Sequence, residues 1–71
     1  MSVAKIIEIS STSTEGFEHA INDGLERASK TVKNIQGAWV KEQRVRVRGG
    51  QVAEYQVNLE VTFVLDGDIN A

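Results

Sequence analysis

Residues 55–65 read Tyr-Gln-Val-Asn-Leu-Glu-Val-Thr-Phe-Val-Leu, and Val57, Leu59, Val61, Phe63 and Leu65 alternate there with Gln56, Asn58, Glu60 and Thr62. A period of two over that length is the signature of a strand with one core face and one polar face. Such a strand needs neighbours on both edges and a cover on one side. The rest of the chain must supply them.

Upstream, Gly49-Gly50 separates this run from another β-rich one over residues 38–48, with no proline in the chain. Two such runs around a Gly-Gly pair predict a long hairpin with strands over 38–48 and 52–65. The first of them is irregular. Ala38 and Val40 are apolar at even positions, whereas Val45 and Val47 are apolar at odd ones. One extra residue switches the facing, so the pattern predicts a β-bulge at residues 41–43. Trp39, Arg44, Arg46 and Arg48 then point away from the core, on the side of Gln56, Asn58 and Glu60.

The cover is a helix. Phe17, Ala20, Ile21, Leu25, Ala28 and Val32 recur at spacings of three and four, forming one stripe of a 3.6-residue repeat. Glu15, Glu18 and Asp23 lie toward its beginning and Lys30 and Lys33 at its end, matching the helix dipole. The predicted span is about 14 to 34, with the Ser13 hydroxyl as the cap of the first turn. Before it, residues 3–9 read Val-Ala-Lys-Ile-Ile-Glu-Ile and predict a first strand that stops at the Ser/Thr cluster 10–14. Val3, Ile7 and Ile9 share one face and Ala4 and Ile6 the other, so this strand asks for cover on both sides. The expected fold class is α+β, in β-α-β-β order: one helix on a three-stranded antiparallel sheet. It forms one domain over residues 1–66, with a polar tail at 67–71.

A chain of 71 residues is short of core. It buries only about 60% of its unfolded surface, and chains of this size lean on disulfides, metals or association. Cysteine is absent and histidine occurs once, so association is expected. The net charge of −2 argues against a nucleic-acid partner held by bulk charge. No basic segment precedes an apolar run and no ~18-residue apolar stretch occurs, so a cytoplasmic protein with no membrane partner is expected.

In order and spacing, Thr12-Ser13 with Gly16, the Ala-Ser-Lys-Thr-Val-Lys-Asn segment at 28–34, Val40-Lys41-Glu42 with Arg44, and the 55–65 run resemble the dodecin family across nearly the whole chain. The resemblance implies a hollow homododecamer with helices outside and sheets lining the inside. It implies binding of FMN or riboflavin near a two-fold axis between tryptophans, with no enzymatic role. On the matching positions it makes Gln56 the partner of the ring edge and Arg44 the partner of the FMN phosphate. One position departs. The family's flavin-stacking tryptophan falls at Gly37, whereas this chain has Trp39, which shares that face but stands ~6.6 Å further along the strand.

Each candidate has a plainer reading beside the sharp one. Trp39 stacks on a planar ligand or fills a subunit interface. Gln56 offers a donor and an acceptor to a ring edge or is a strand residue in solvent. Arg44, Arg46 and Arg48 form a comb for phosphate or carboxylate, or pair with Glu54 and Glu60. The alternative function is therefore a shell without flavin, with Trp39 structural and the cavity holding another small anion or a metal ion such as calcium. His19, off the apolar stripe, reads as a surface residue. The sequence Asp66-Gly67-Asp68-Ile69-Asn70 is similar to the opening of a calcium loop but lacks its later glycine and glutamate, so no metal ligands are assigned. No nucleophile and base pair emerges.

Overall fold

The computed structural model describes residues 3–65. Its elements are β1 (Ala4–Ser13), α1 (Phe17–Ala28), β2 (Ile35–Arg48) and β3 (Gln51–Val64). The strand with the cleanest alternation takes the centre of the sheet. β3 pairs antiparallel with β1 on one edge and β2 on the other, giving the order β1-β3-β2. The β-α-β-β subunit with one helix on a three-stranded antiparallel sheet is thus the fold of this chain.

α1 lies over β1 and β3. Val57, Leu59 and Val61 of β3 and Ala20 of α1 are 0% exposed, with Ile7, Ile9, Phe17, Ile21, Leu25, Ile35 and Val40 packed around them. This is the core that the odd positions of the last strand and the helical stripe require. Phe17 also meets Tyr55 edge-on, with ring centroids 5.1 Å apart. Gly24 belongs to the same stripe and is buried, because the helix crosses β1 closely there: a Cβ on Gly24 would lie 2.9 Å from Ser11 Cβ.

Several boundaries differ from the sequence expectation: β2 opens at Ile35, three residues before the expected 38, and α1 opens at Phe17, while the ends of β1 and α1 also move. β1 does not stop at the Ser/Thr cluster but runs through it to Ser13, pairing Ser11 with Val57 and Ser13 with Tyr55. The ladder to β3 outweighs the weak strand preference of serine. Burial is tolerated because the hydroxyls find partners: Ser11 Oγ donates to Ala20 O at 2.7 Å, and Ser13 Oγ accepts from Glu15 N at 2.9 Å. Ser13 therefore closes the turn after β1 and caps no helix, since the N-cap position is Gly16 with no side-chain cap bond.

α1 is also shorter than the predicted 14–34. After Ala28 the chain tightens, with Lys30 N donating to Arg27 O at 3.2 Å and Thr31 N to Ala28 O at 3.1 Å, which are three-residue turns. Asn34, at φ 64, then swings the chain into β2, a left-handed conformation that asparagine tolerates. Its backbone and side chain are fastened to the end of β3: Val64 N donates to Asn34 O at 3.1 Å, and Asn34 Nδ2 donates to Val64 O at 3.3 Å.

The hairpin turns at Gly49 and Gly50, with φ of 59 and 78, the two positive values that a two-residue turn of this hand requires. The register of β2 on β3 shifts between Val40 and Glu42, which leaves Lys41 as the extra residue. This is the bulge the facing switch predicts. Two further shifts, at Ile35/Gly37 and Arg46/Val47, carry no such signal in the sequence. The second leaves Ala53 of β3 as the extra residue, since Arg46 pairs with Glu54 and Val47 with Val52. The 67–71 tail, the 1–66 domain boundary and the Asp66 to Asn70 motif lie outside the described residues.

Candidate functional site

The face of the sheet turned away from α1 is uncovered in the subunit. β3 contributes Glu54, Gln56, Asn58 and Glu60 to it, because these alternate with the buried odd positions. β2 contributes Trp39 opposite Glu60, Arg44 opposite Gln56 and Arg46 opposite Glu54. β1 contributes Glu8 opposite Glu60 and Ser10 opposite Asn58.

The bulge sets the middle of this face. Both Lys41 and Glu42 reach it: Lys41 Nζ lies 3.9 Å from Glu8 Oε2 and 3.6 Å from Glu60 Oε2, while Glu42 Oε1 accepts from Asn58 Nδ2 at 2.9 Å. Without the extra residue, successive side chains would alternate across the sheet. The bulge thus places a cation and an anion side by side, and it gives Glu60 a lysine partner where the sequence pattern offered arginine.

Arg44 and Gln56 are brought together. They share a rung of the β2–β3 ladder and line a depression of about 190 Å³ with Val45, Arg46 and Glu54. Arg46 Nε is 3.9 Å from Glu54 Oε1, so its charge is partly answered within the subunit. Arg44 has no ion-pair partner among the described residues. Gln56 Nε2 donates to Ser10 Oγ at 3.1 Å and to Asn58 Oδ1 at 3.3 Å. The depression therefore presents one unpaired guanidinium beside one amide.

Trp39 does not join them. It shares the face and is 66% exposed, but its rung is at Glu60, four residues along β3 from Gln56. That separation is ~13 Å at the rise of a strand. Within one subunit Trp39 and the Arg44–Gln56 depression are two stations on one surface. A ligand touching both needs either that length or a second copy.

His19 is exposed, as a residue off the apolar stripe should be, yet it is tied into the β1–α1 turn. Its Nδ1 is 2.8 Å from Ser13 Oγ and its Nε2 is 3.3 Å from Glu15 Oε2. Among the described residues no group of three or more His, Cys, Asp or Glu side chains is placed to hold a metal ion. No helix among them is long and apolar enough to cross a membrane.

A one-sided sheet with an aromatic, an amide and, among the described residues, an unpaired arginine on its bare face defines a small α+β subunit. The family model described as Dodecin matches residues 3–66. The dodecin of Thermus thermophilus is 45% identical over 64 residues, covering 90% of this chain and 93% of that one. The solved dodecin from Streptomyces davaonensis superposes with a TM-score of 0.87 at 38% identity, covering 92% of this chain and 96% of its own. A solved calcium dodecin from Mycobacterium tuberculosis, described as calcium-chelating with a novel calcium-binding site, reaches a TM-score of 0.79 at 36% identity, covering 93% and 94%. The chain belongs to the dodecin family.

Proposed function

We propose that this protein binds FMN or riboflavin and stores it inside a closed homo-oligomeric shell, a homododecamer, with no catalytic role of its own. The observation that carries the reading is the Arg44–Gln56 rung. A guanidinium with no ion-pair partner among the described residues can take a phosphate bidentately. The amide beside it can fix the polar edge of a planar ring, and the two line one depression. These residues fit a flavin phosphate and ring edge.

Assembly is supported by what the subunit leaves bare. β1 and β2 are both sheet edges, and Ile6, Trp39, Val47 and Val52 are exposed apolar side chains. Open edges and apolar patches of this kind call for another chain. In the shell, Trp39 of one copy stacks on a ring held at the Arg44–Gln56 rung of another. A flavin held this way is shielded from light-driven side reactions, and its free concentration is buffered. The proposed compartment is the cytoplasm, and fractionation of the source cells tests it. Titration of the purified protein with FMN or riboflavin should quench flavin fluorescence at micromolar concentration, and no quenching overturns the reading.

A second reading keeps the shell without the flavin, with Trp39 filling the subunit interface and the cavity holding another small anion or a cation such as calcium. The displacement of the tryptophan from Gly37 to Trp39 and the likeness to a calcium dodecin favour it. Trp39→Ala separates the two. A stacking role predicts an intact oligomer with weakened flavin binding, whereas an interface role predicts dissociation on size exclusion.

A further inference from the structure

We infer that Glu42 and Asn58 are positioning residues that lock the Gln56 amide with its oxygen outward, so that the site selects a ring edge carrying an N–H donor. The inference rests on the flavin reading and adds to it the polarity of recognition.

The hydrogen-bond relay starts at Glu42. An ionised carboxylate only accepts hydrogen bonds. The Asn58 atom 2.9 Å from Glu42 Oε1 must therefore be the amide nitrogen, as observed. That choice turns Asn58 Oδ1 toward Gln56. The Gln56 atom 3.3 Å from Oδ1 must then be a donor, so it is Nε2. The second hydrogen of Nε2 is taken by Ser10 Oγ at 3.1 Å. Both donors of Gln56 are thereby spent inside the sheet, and Oε1 has no hydrogen-bond partner among the described residues. An amide whose two ends look alike in shape is given one orientation by a carboxylate two residues away on the network.

The consequence is a test of ligand chemistry. An acceptor facing the depression pairs with a ring N–H, such as the imide nitrogen of an isoalloxazine, and repels a bare ring carbonyl or nitrogen lone pair. Glu42 owes its place in this network to the Lys41 bulge, which brings it onto the open face opposite Asn58.

Lumiflavin and 3-methyllumiflavin are suitable probes, because they carry no phosphate and differ only at the imide nitrogen. In fluorescence titrations the wild-type protein should bind lumiflavin about tenfold more tightly, since an acceptor left unpaired once the ligand covers it costs on that order. Glu42→Lys replaces an acceptor with a donor at the head of the relay, which reverses Asn58 and then Gln56. Its preference should fall below about threefold, and the Gln56 side-chain amide protons, protected in the wild type, should exchange faster with solvent in NMR spectra. Glu42→Gln, which donates or accepts equally well, should fall between and serves as the conservative variant if the charge reversal disturbs folding. Equal binding of the two probes by the wild type overturns the inference while leaving the flavin reading intact. Unchanged preference and unchanged amide exchange in both Glu42 variants also overturn it. Wild-type protein that quenches neither probe, nor FMN, removes the flavin reading itself and the inference with it.

Discussion

The two faces of the sheet are built from alternate residues of the same strands, yet they obey different physics. On the helix side, Val57, Leu59 and Val61 are fully buried and the polar atoms that enter, Ser11 Oγ and Ser13 Oγ, are hydrogen-bonded. On the other side, Glu8, Lys41, Glu42, Gln56, Asn58 and Glu60 form a connected polar surface whose members hold one another in place. The first face stabilises the subunit by removing apolar area from water. The second contributes little to stability and instead fixes which atoms point outward. The contrast belongs to β1 and β3, over which α1 lies; in β2 every residue except Ile35 and Val40 is exposed, on both faces.

If that division holds, substitutions on the helix side change unfolding and those on the open face change binding. The largest effect is expected from Leu59→Ala. Truncating a fully buried leucine removes its transfer energy and leaves a cavity, costing about 2–5 kcal/mol per subunit. Denaturant midpoints compared at one protein concentration measure it, since association contributes to apparent stability. A loss below about 1 kcal/mol would mean that the shell, and not the subunit core, carries the fold.

Arg44→Ala should do the opposite. The side chain is exposed and has no ion-pair partner among the described residues, so the denaturation curve should hardly move. Affinity for FMN should drop by about tenfold or more, as charge-assisted hydrogen bonds are worth roughly 1.5–3 kcal/mol, while riboflavin should be little affected. Equal losses for both ligands would place Arg44 on the ring or in the assembly and not on the phosphate.

Gly24→Ala returns to the helix side with a smaller expectation, because two terms oppose. Alanine gains about 1 kcal/mol of helix preference over glycine. The added Cβ, at 2.9 Å from Ser11 Cβ, forces α1 away from β1, and overpacking of this kind costs about 1–3 kcal/mol. A net loss of about 1 kcal/mol is expected by thermal or chemical denaturation. A gain would show that the helix can lift off β1 without strain.

What could be read in the sequence divides along the same line. The alternation at 55–65 and the stripe through Phe17, Ala20, Ile21 and Leu25 are local periods, so they reveal the core, and the parity switch between Val40 and Val45 reveals the Lys41 bulge. Ser11 and Ser13 look like loop residues, because nothing local shows that Ala20 O and Glu15 N wait for their hydroxyls. Val32 continues the helical period although α1 has ended at Ala28, since Val32 N still donates to Ala28 O at 2.9 Å, a four-residue bond that follows the three-residue turns. The candidates Arg44 and Gln56 could be named from the strand pattern with the family likeness. Their common rung, and the ~13 Å that separates them from Trp39, depend on the register between two strands, and sequence periodicity carries no register. The Glu42–Asn58–Gln56 relay needs that register and the bulge together.

The smallest effect separates the faces by mechanism. Lys41 stands between Glu8 and Glu60, which face each other directly across the β1–β3 ladder, so it offsets a like-charge pair. Lys41→Met should cost about 0.2–1 kcal/mol, because the three side chains are partly solvated and such pairs are weak. The sign of its salt dependence is the useful quantity. At low salt the two carboxylates repel without relief. At about 1 M salt the Debye length is about 3 Å and the repulsion is screened, so the difference from wild type should shrink toward zero. The Leu59→Ala deficit, which is apolar in origin, should persist at high salt. Adding Glu8→Gln to Lys41→Met removes one of the opposed charges and should recover most of the loss even at low salt. If the double variant stays as unstable as Lys41→Met, the aliphatic stem of Lys41 covering the open face is what matters, and its ammonium group is incidental.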